Sequence, residues 1–530
     1  ASFSVKGRPY GRNTGNMVFG IISNVMNGRQ SAVKRVIILS DTTTDMGSLT
    51  ETECRRVIAA LDLAETLKLP VEWLPVSAGA RIEMDSGTEN LDWSAAVLRR
   101  IITFTQNGGE INIIVAGVNV GAQSYWNAEA SMLMHTRGLL IMTEDASMLL
   151  TGKKALDFSG SVSAEDNTGI GGVEKIMEPN GQAQVKAKNL YEAYSVLFRH
   201  YMLTYAAPGE TFPERVETSD PHDRDAGLFP YTDRLDQGFS RIADIFSPDS
   251  NPERKKPFEI RQVLRSVIDQ DQEHLERWQG MKDAETAVVW EVRIGGCAAC
   301  LMGIESRSLT RLGDVPHDGP ESWSGGTLFP LASKKIARGI NAGSGRLPLV
   351  ILANLSGFDG SPESLRKLQL EYGAEIGRAI VNFKGPIIFV VIARYHGGAY
   401  VVFSKSLNPS LHAAALEGSY ASVIGGAPAA AVVFPSMVLK DTYADGRIEE
   451  ARKRLKSDPG FFQKDFDAVF QTVHAEKQTA LALRFDQIHS VERAKQVGSI
   501  DAIISIRDLR SYIIRKLEEG MKIFTEKGNG

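Results

Sequence analysis

Residues 69–82 read LPVEWLPVSAGARI, and residues 347–360 read LPLVILANLSGFDG, so a Leu-Pro pair precedes a glycine loop at the same spacing twice in one chain. A second glycine loop follows each stretch, at separations that differ by one residue: VNVGAQS at residues 118–124 and YHGGAYVV at residues 395–402. Both copies have the order strand, glycine loop, helix, strand, glycine loop, which is an α/β pattern. The agreement predicts two homologous domains.

The glycine loops are the candidate chemical groups. Gly121-Ala122 follows a strand and opens a helix in the first copy, and Gly398-Ala399 has the same place in the second. A helix start leaves backbone N–H groups free and carries a partial positive charge. For a single such loop, a tight turn or close packing would be the favoured interpretation. Because the loops are matched in pairs, we interpret them as two oxyanion holes, suited to a reaction in which two carbonyl-like oxygens become negative.

Other catalytic patterns are scarce. The chain has no Gly-x-Ser-x-Gly elbow, and its histidines lack the His-x-x-x-His spacing of a metal site. His396 lies nearest to a proposed hole, and we interpret it as a loop residue rather than a base. A site rich in backbone donors and poor in bases suits enolate chemistry, in which the substrates bring their own base.

The chain divides at a proline-rich stretch. Strand patterns such as KRVIILSD and INIIVAGV alternate with helical patterns in the first part, and residues 206–257 interrupt them with seven prolines and many charges. We therefore expect an N-terminal domain at residues 1–245 and a C-terminal domain at residues 255–530. The end of the chain, from about residue 445, is expected to be helical.

This helical end has two interpretations. Leu481, Phe485, Ile488 and Glu492 recur at helical spacing. The plainer interpretation is a helical hairpin packed on the second domain. The alternative is a face that binds a partner, and both can hold in an oligomer.

Composition limits the compartment and the class of partner. The net charge of −4 gives no basic footprint for nucleic acid or an anionic membrane. No apolar run reaches the roughly 18 residues of a membrane-spanning helix, and the start lacks a signal pattern. Three cysteines fit a reducing compartment, so we expect a cytoplasmic protein. Because the chain starts at Ala1 without Met, we expect a processed chain or a fragment.

Cys297 and Cys300 form the one Cys-x-x-Cys pattern. A structural zinc site needs a second ligand pair, and Cys54 is the only other cysteine. The two lie in WEVRIGGCAACLMGIES, which is typical of two buried strands about a turn. Core thiols are favoured over a metal or redox role, and no metal is predicted.

The chain resembles the carboxyltransferase component of biotin-dependent acyl-CoA carboxylases and is close in pattern to the acetyl-CoA carboxylase type. The resemblance covers nearly the whole chain. Its motifs stand in family order and are, from first to last, LSDTTTDMGSLT, SAGARIEM, VNVGAQSYW, LLTGKKALD, GIGGVEKIMEPNG, GIESRSLT, GGTLFPLASKKIARGINAG, LPLVILANLSGFDGS, GGAYVVF and LALRFDQIHSVERAKQVGSID.

This resemblance implies two tandem crotonase-like domains of ββα turns in the α/β class, with a C-terminal helical extension. It implies carboxyl transfer from N1-carboxybiotin to the α-carbon of a short acyl-CoA, acetyl-CoA first and propionyl-CoA or longer second, as in fatty acid biosynthesis. Biotin would arrive on a biotin carboxyl carrier, loaded by a biotin carboxylase, each a separate domain or subunit. A homodimer or a multiple of dimers is implied, with the active site between the first domain of one subunit and the second domain of the other.

The resemblance also implies roles for single residues. Gly121-Ala122 and Gly398-Ala399 match the two oxyanion holes, and we lean to Gly398-Ala399 for the thioester and Gly121-Ala122 for biotin. Gly79, Ala80 and Arg81 are expected to contact coenzyme A, although Arg81 could instead form a surface salt bridge. Gly357 and Phe358 are expected to contact biotin.

Two departures from the family pattern bear on the substrate. The chain has no basic residue at residues 433–435, where eukaryotic-type members have a Lys-x-Arg pair. Val401 follows Tyr400 where propionyl-preferring relatives have Asp, which leans toward acetyl-CoA.

Three other readings stay open. The same fold could serve a biotin-dependent acyl-CoA decarboxylase. It could serve another crotonase-fold enzyme such as a hydratase, which needs two carboxylates and has only Glu83 near Arg81. A non-catalytic assembly scaffold is disfavoured because both pairs of glycine loops are intact.

Overall fold

Two sheets, one in each half of the chain, organise the structure. The computed structural model describes residues 15–26 and 29–528. The start of the predicted first domain, residues 1–14, lies outside the described residues, as do residues 27–28 and 529–530. The strands of the first half are β1 (Met17–Asn24), β2 (Val33–Ser40), β3 (Ser48–Leu49), β4 (Val71–Leu74), β5 (Gly79–Ala80), β6 (Ile111–Val115), β7 (Val118–Val120), β8 (Leu140–Thr143), β9 (Ser147–Leu149) and β10 (Val185–Ala187). Those of the second half are β11 (Leu275–Glu276), β12 (Ala287–Ile294), β13 (Cys297–Ile304), β14 (Leu309–Thr310), β15 (Ser322–Trp323), β16 (Thr327–Leu328), β17 (Leu349–Leu355), β18 (Gly357–Phe358), β19 (Ile387–His396), β20 (Leu411–Leu416), β21 (Tyr420–Ser422) and β22 (Ala502–Ile504).

The helices alternate with these strands, as the sequence predicts. The α-helices are α1 (Glu51–Leu67), α2 (Thr88–Gln106), α3 (Ala122–Ser131), α4 (Lys153–Ser159), α5 (Asn167–Gly171), α6 (Leu190–Thr204), α7 (Ile242–Phe246), α8 (Ile260–Val267), α9 (Pro330–Gly343), α10 (Pro362–Arg366), α11 (Gln369–Asn382), α12 (Gly397–Val402), α13 (Gly426–Pro428), α14 (Pro435–Tyr443), α15 (Gly446–Ser457), α16 (Gln463–Ile488), α17 (Val491–Gln496) and α18 (Leu509–Gly528). The 3₁₀ turns are Asp45–Gly47, Ala226–Leu228, Pro252–Arg254 and Lys405–Leu407, and the π segments are Val173–Met177 and Ala429–Val433.

The two sheets share one topology. The six-stranded sheet has the order β1-β2-β4-β6-β8-β10, and the eight-stranded sheet has β11-β12-β13-β17-β19-β20-β22, with β21 also beside β19. The first sheet begins with one antiparallel pair, β1 with β2, and the second with two, β11 with β12 and β12 with β13; all later pairs in both sheets are parallel. The repeat in the sequence is therefore a repeat of strand order as well.

Short strand pairs bring each glycine loop back to its sheet. β3 pairs with β5 so that Ser48 lies opposite Gly79, and β16 pairs with β18 so that Thr327 lies opposite Gly357. β7 directly precedes the Gly121 loop and α3, and it pairs with β9. The end of β19 directly precedes α12, and it pairs with β21. Both halves therefore hold their loops at the carboxyl ends of the parallel strands.

Local sequence explains several element boundaries. α1 begins at a capping box, in which Thr50 Oγ1 accepts from the Thr52 N–H (3.3 Å) and the Glu53 carboxylate accepts from the Thr50 N–H (3.0 Å). β12 and β13 form the hairpin predicted around Cys297 and Cys300, and Gly295 and Gly296 supply the positive φ of its turn (61° and 77°). Both thiols are buried, and burial raises the pKa of Cys300 to about 12, so they are core thiols.

A buried ionic network joins the halves. His200 of α6 lies fully buried between two carboxylates, with Nδ1 2.6 Å from Glu291 Oε2 and Nε2 3.1 Å from Glu110 Oε1. Arg346 pairs with Glu110, and Arg277 pairs with Glu291 at 3.3 Å. Since Glu110 directly precedes β6 of the first sheet and Glu291 lies in β12 of the second, the network fixes one sheet against the other.

The C-terminal segment contains a helical hairpin and departs from the prediction in two ways. Arg447 of α15 pairs with Glu476 of α16, and Lys477 of α16 pairs with Asp445 (2.8 Å). The helical spacing predicted through Glu492 breaks at His489–Ser490, so Glu492 lies in α17. The segment is also not wholly helical, because β22 inside it adds the last strand to the second sheet.

Candidate functional site

In the first half, the structure brings the two glycine loops together. Ser77 N donates to Val118 O (3.2 Å) and Val120 N donates to Ser77 O (3.0 Å), so the loop after β4 lies along β7. Gly79 has a φ of 93°, and a Cβ there would lie 3.2 Å from Val120 O. This close approach explains the glycine. Gly79 and Gly121 thus flank one short stretch of backbone.

This loop offers fewer free N–H donors than the sequence suggests. Gly121 adopts a φ of 59° and its N–H donates to Leu149 O at 2.8 Å, so that N–H is already used. α3 begins at Ala122, and the first N–H groups of a helix have no acceptor inside it. In the described part of the chain no other acceptor faces the Ala122 N–H. Of Gly121 and Ala122, the two residues expected to form this hole, Ala122 is therefore the one whose N–H is free among the described residues.

In the second half, the loops meet in the corresponding way. Gly357 (φ 143°) begins β18, and Gly397 (φ 63°) begins α12. A Cβ on Gly398 would lie 2.9 Å from Phe358 Cδ2, so the half-buried Phe358 ring packs directly on Gly398. The expected biotin-contact residues and the expected oxyanion residues of this half therefore share one site, with the Gly398 and Ala399 N–H groups in the first turn of α12.

His396, which the sequence suggested to be a loop residue, is the last residue of β19. It directly precedes α12, is 4% exposed, and its Nδ1 lies 3.1 Å from Ser422 Oγ. Ser422 Oγ donates to Ile424 O, so Nδ1–H of His396 donates to Ser422 Oγ and Nε2 keeps its lone pair. Burial lowers the pKa of His396 to about 4, so the imidazole is neutral near pH 7. The Ser422 partner lies on β21, which no local pattern around His396 reveals.

Arg81 is held by two carboxylates. Its Nη1 lies 3.1 Å from Asp45 Oδ2 and its Nε 2.9 Å from Glu83 Oε1, while its side chain is 39% exposed. The salt-bridge alternative weighed from the sequence is thus what the structure contains. Asp45 and Arg81 belong to the loops joined by the β3–β5 pair, which explains their meeting.

Exposed apolar side chains stand beside both holes. Leu150, directly after β9, is 65% exposed, and Val423, directly after β21, is 85% exposed. The carbonyl oxygen of Leu150 is 3.8 Å from a Cβ placed on Gly121, and that of Val423 is 3.7 Å from one on Gly397. Two equivalent apolar positions therefore lie at the rims of the two loops.

The Carboxyl transferase domain family matches residues 9–523. The chain belongs to this family. The resemblance drawn from the motifs and the enzyme class it implied, a carboxyltransferase, are confirmed by this match.

Relatives and solved structures agree. The mitochondrial acetyl-CoA carboxylase of Saccharomyces cerevisiae is 27% identical over 412 residues, which is 72% of this chain and 16% of the relative. The acetyl-CoA carboxylase of Dictyostelium discoideum is 25% identical over 478 residues, 83% of this chain and 19% of the relative. The chain spans less than a fifth of the length of these relatives.

A solved transcarboxylase 12S, a hexamer with hydrolysed methylmalonyl-coenzyme A bound, superposes with a TM-score of 0.69 at 21% identity, over 95% of this chain and 82% of that one. This likeness confirms the predicted crotonase-like α/β fold. Across residues 15–26 and 29–528, no helix is long and apolar enough to cross a membrane.

Proposed function

We propose that this chain transfers the carboxyl group of N1-carboxybiotin to the α-carbon of a short acyl-CoA, with acetyl-CoA as the first choice. The observation that carries the proposal is the matched arrangement of two glycine loops, each followed by a helix start with free N–H groups, in a chain of the carboxyl transferase family. Each loop suits one oxygen that becomes negative during such a transfer.

Carboxybiotin supplies the carboxyl group and, after its loss, the base for the α-proton. The chain's own part is to stabilise charge. We assign the Ala122 N–H to one oxygen and the Gly398 and Ala399 N–H groups to the other, with the thioester favoured at Gly398-Ala399. His396 is neutral near pH 7, so the second hole stabilises charge through its backbone N–H groups and not through an imidazolium. Gly79, Ala80 and Arg81 for coenzyme A, and Gly357 and Phe358 for biotin, remain part of this proposal.

The quaternary arrangement belongs to the same proposal. Leu150 and Val423 are apolar and exposed next to the two holes, and a partner subunit that covers them would also exclude water from the reaction. We propose a homodimer, or a multiple of it, with sites between the first domain of one subunit and the second domain of the other. Domain limits at residues 1–245 and 255–530 are supported by the division of the two sheets.

The biotin carboxyl carrier and biotin carboxylase are the proposed partners, and fatty acid biosynthesis in the cytoplasm is the proposed setting. Acetyl-CoA is preferred over propionyl-CoA because Val401, 63% exposed beside the second hole, is apolar where propionyl-preferring relatives have Asp.

The reverse reaction gives the simplest test. Purified chain is incubated with malonyl-CoA or methylmalonyl-CoA and free biotin, and the release of acetyl-CoA or propionyl-CoA is followed with and without biotin. We expect biotin-dependent turnover that is faster with malonyl-CoA. Absence of turnover with both thioesters would contradict the proposal. Turnover at the same rate without biotin would instead indicate another crotonase-fold reaction.

A further inference from the structure

The C-terminal end of α16 lies against the strand that supports the second hole. One edge of β21 pairs with the last residues of β19, directly before α12. Its other edge contacts the residues that follow α16. Tyr420 forms an antiparallel bridge with Ser490, and the Ala421 N–H donates to His489 O at 3.3 Å. β21 is therefore held between the strand that leads into α12 and the end of the helical hairpin.

A pair of glycines makes a second contact between α16 and this region. Gly425 and Gly426 lie between β21 and the body of α13, and we call them the double-glycine turn. A Cβ on Gly426 would lie 2.7 Å from Asp486 Cγ and closer still to Ala482 O. Glycine is required here because no side chain fits between the turn and α16. The two backbones are therefore in direct contact, so a movement of α16 is transmitted to the turn.

The carboxylate of Asp486 fixes this turn. Its Oδ1 accepts the Gly426 N–H at 2.7 Å, and a donor at the first position of a helix has no acceptor inside that helix. Asp486 is half-buried, and among the described residues no Lys or Arg nitrogen lies within 4.0 Å of its carboxylate. Burial raises the pKa of Asp486, and the more distant charges of Arg394 and Lys255 oppose this only in part. The specific contact of this carboxylate is therefore its hydrogen bond to the turn.

The double-glycine turn lies on the imidazole of His396. A Cβ on Gly425 would lie 3.9 Å from His396 Nε2. On the other side of the ring, Nδ1 of His396 lies 3.1 Å from Ser422 Oγ, which itself donates to Ile424 O. Both ring nitrogens therefore face the segment between β21 and α13. Because His396 directly precedes α12, its position sets where the free N–H groups of the second hole lie.

We propose that Asp486 is a positioning residue for the second hole. Its hydrogen bond to Gly426 holds the double-glycine turn against His396, and His396 orients the first N–H groups of α12. A displacement of about 1 Å at a reacting group can cost about 100-fold in rate. A movement of α16 therefore changes the rate without any contact with the substrate. The effect on rate rests on the proposed function, whereas the contact path from Asp486 to α12 does not.

The test uses variants of the whole chain. Asp486→Ala removes the acceptor of the Gly426 N–H, Asp486→Asn keeps an oxygen acceptor without the charge, and Asp486→Glu displaces the acceptor by one methylene group. Asp441→Ala is the matched control. Asp441 is an exposed residue of α14 that forms neither a hydrogen bond nor an ion pair within the described part of the chain. Ser422→Ala removes the hydroxyl beside His396 and serves for a double-mutant comparison.

Hydrogen–deuterium exchange measures the contact path without any reaction. We expect Asp486→Ala to speed the exchange of residues 397–402 several-fold, because the first turn of α12 loses its support, while residues 118–131 of the first half stay unchanged. Asp486→Asn and Asp441→Ala should exchange as the unsubstituted chain does. If Asp486→Ala does not fold, Asp486→Glu should show the same pattern. No faster exchange at residues 397–402 in a folded variant of either kind would overturn the proposal.

The kinetics of malonyl-CoA decarboxylation connect this path to the hole. Asp486→Ala should lower kcat about tenfold and change KM by less than about twofold, and Asp486→Asn should retain most of the normal kcat. The double variant with Ser422→Ala should lose less than the product of the two single effects, because both act through His396.

Three results would overturn the positioning role: faster exchange with unchanged kcat, an Asp486→Asn variant no better than Asp486→Ala, or single effects that simply multiply. If the unsubstituted chain does not turn over malonyl-CoA, the carboxyltransferase proposal alone is contradicted. The exchange of residues 397–402 then still decides whether Asp486 supports α12.

Discussion

The two halves have the same strand order and the same loop pairings, yet their charges differ. In the first half, the cation nearest the glycine loop, Arg81, is neutralised by Asp45 and Glu83 at 3.1 and 2.9 Å. In the second half, Arg254, Lys256 and Arg394 surround the corresponding loop without ion pairs among the described residues. The repeat thus preserves the geometry of backbone donors, while the side chains around each loop suit different ligands.

The largest effect is expected on stability, from a substitution in the ionic network that joins the two halves. His200→Ala removes the partner that the Glu110 and Glu291 carboxylates share. It should cost about 3 kcal/mol of unfolding free energy, although Arg346 and Arg277 still pair with the two carboxylates. Urea denaturation measures it, with the exposed His222→Ala as control. A loss no greater than that of the control would mean that the network does not hold the halves together.

The same network predicts the range of pH over which it stabilises the fold most. Burial opposes the charge of His200, but Glu291 and Glu110 outweigh it and raise its pKa, so its contribution is full below about pH 6.5 and is lost as pH rises through the raised value. Burial opposes the charges of Glu110 and Glu291 too, but Arg346 and His200 lower their pKa. Their contribution is lost as pH falls below about 4.3. The stability difference between the unsubstituted chain and His200→Ala should therefore peak between about pH 5 and 6.5.

The next effect tests the first hole alone. Ala122→Pro removes the free N–H at the first position of α3, where proline is well tolerated, so the fold should survive. We expect kcat to fall about 100-fold to 1000-fold, as for the loss of one oxyanion donor. Leu190→Pro, at the first position of α6, is the control and should keep full activity. An active Ala122→Pro enzyme would remove this loop from the mechanism.

A smaller effect is expected in the second hole. Gly398→Ala places a Cβ 2.9 Å from Phe358 Cδ2, and overpacking of this kind costs about 1–3 kcal/mol. We expect roughly a tenfold loss of kcat, with partial recovery when Phe358→Leu makes room. Gly446→Ala, whose Cβ meets nothing within 4 Å, is the matched control. Unchanged kcat in Gly398→Ala would show that Phe358 is free to move.

Arg81 should give the smallest effect. Because two carboxylates already hold its guanidinium, Arg81→Gln should change the unfolding free energy by less than about 1 kcal/mol. KM for malonyl-CoA should rise by about threefold or less. Arg55→Gln, which breaks an exposed pair with Glu51, is the control. A tenfold rise in KM would show that the proposed contact of Arg81 with coenzyme A outweighs its two ion pairs.

The sequence predicts the duplicated α/β framework because that framework is built from local patterns. The Leu-Pro pairs, the glycine loops and the hairpin at Gly295-Gly296 all signal their own backbone conformation. What it does not reveal depends on contacts between distant segments. The Gly121 N–H is taken by Leu149 O, and β22 joins its sheet from within an otherwise helical segment. A cavity beside Ser356 likewise collects residues from six separate segments, so no single motif predicts it.

The central claim is that one loop from each half forms a single site across two subunits. The direct test co-expresses Ala122→Pro subunits with Gly398→Ala/Phe358→Trp subunits and measures malonyl-CoA decarboxylation by the mixed dimers. The larger ring at residue 358 adds to the clash at Gly398, so each parent alone is expected to retain little activity. Half of the randomly assembled dimers are mixed and each has one intact site of two, so we predict about a quarter of the normal activity. A mixture as inactive as its parents would contradict the claim.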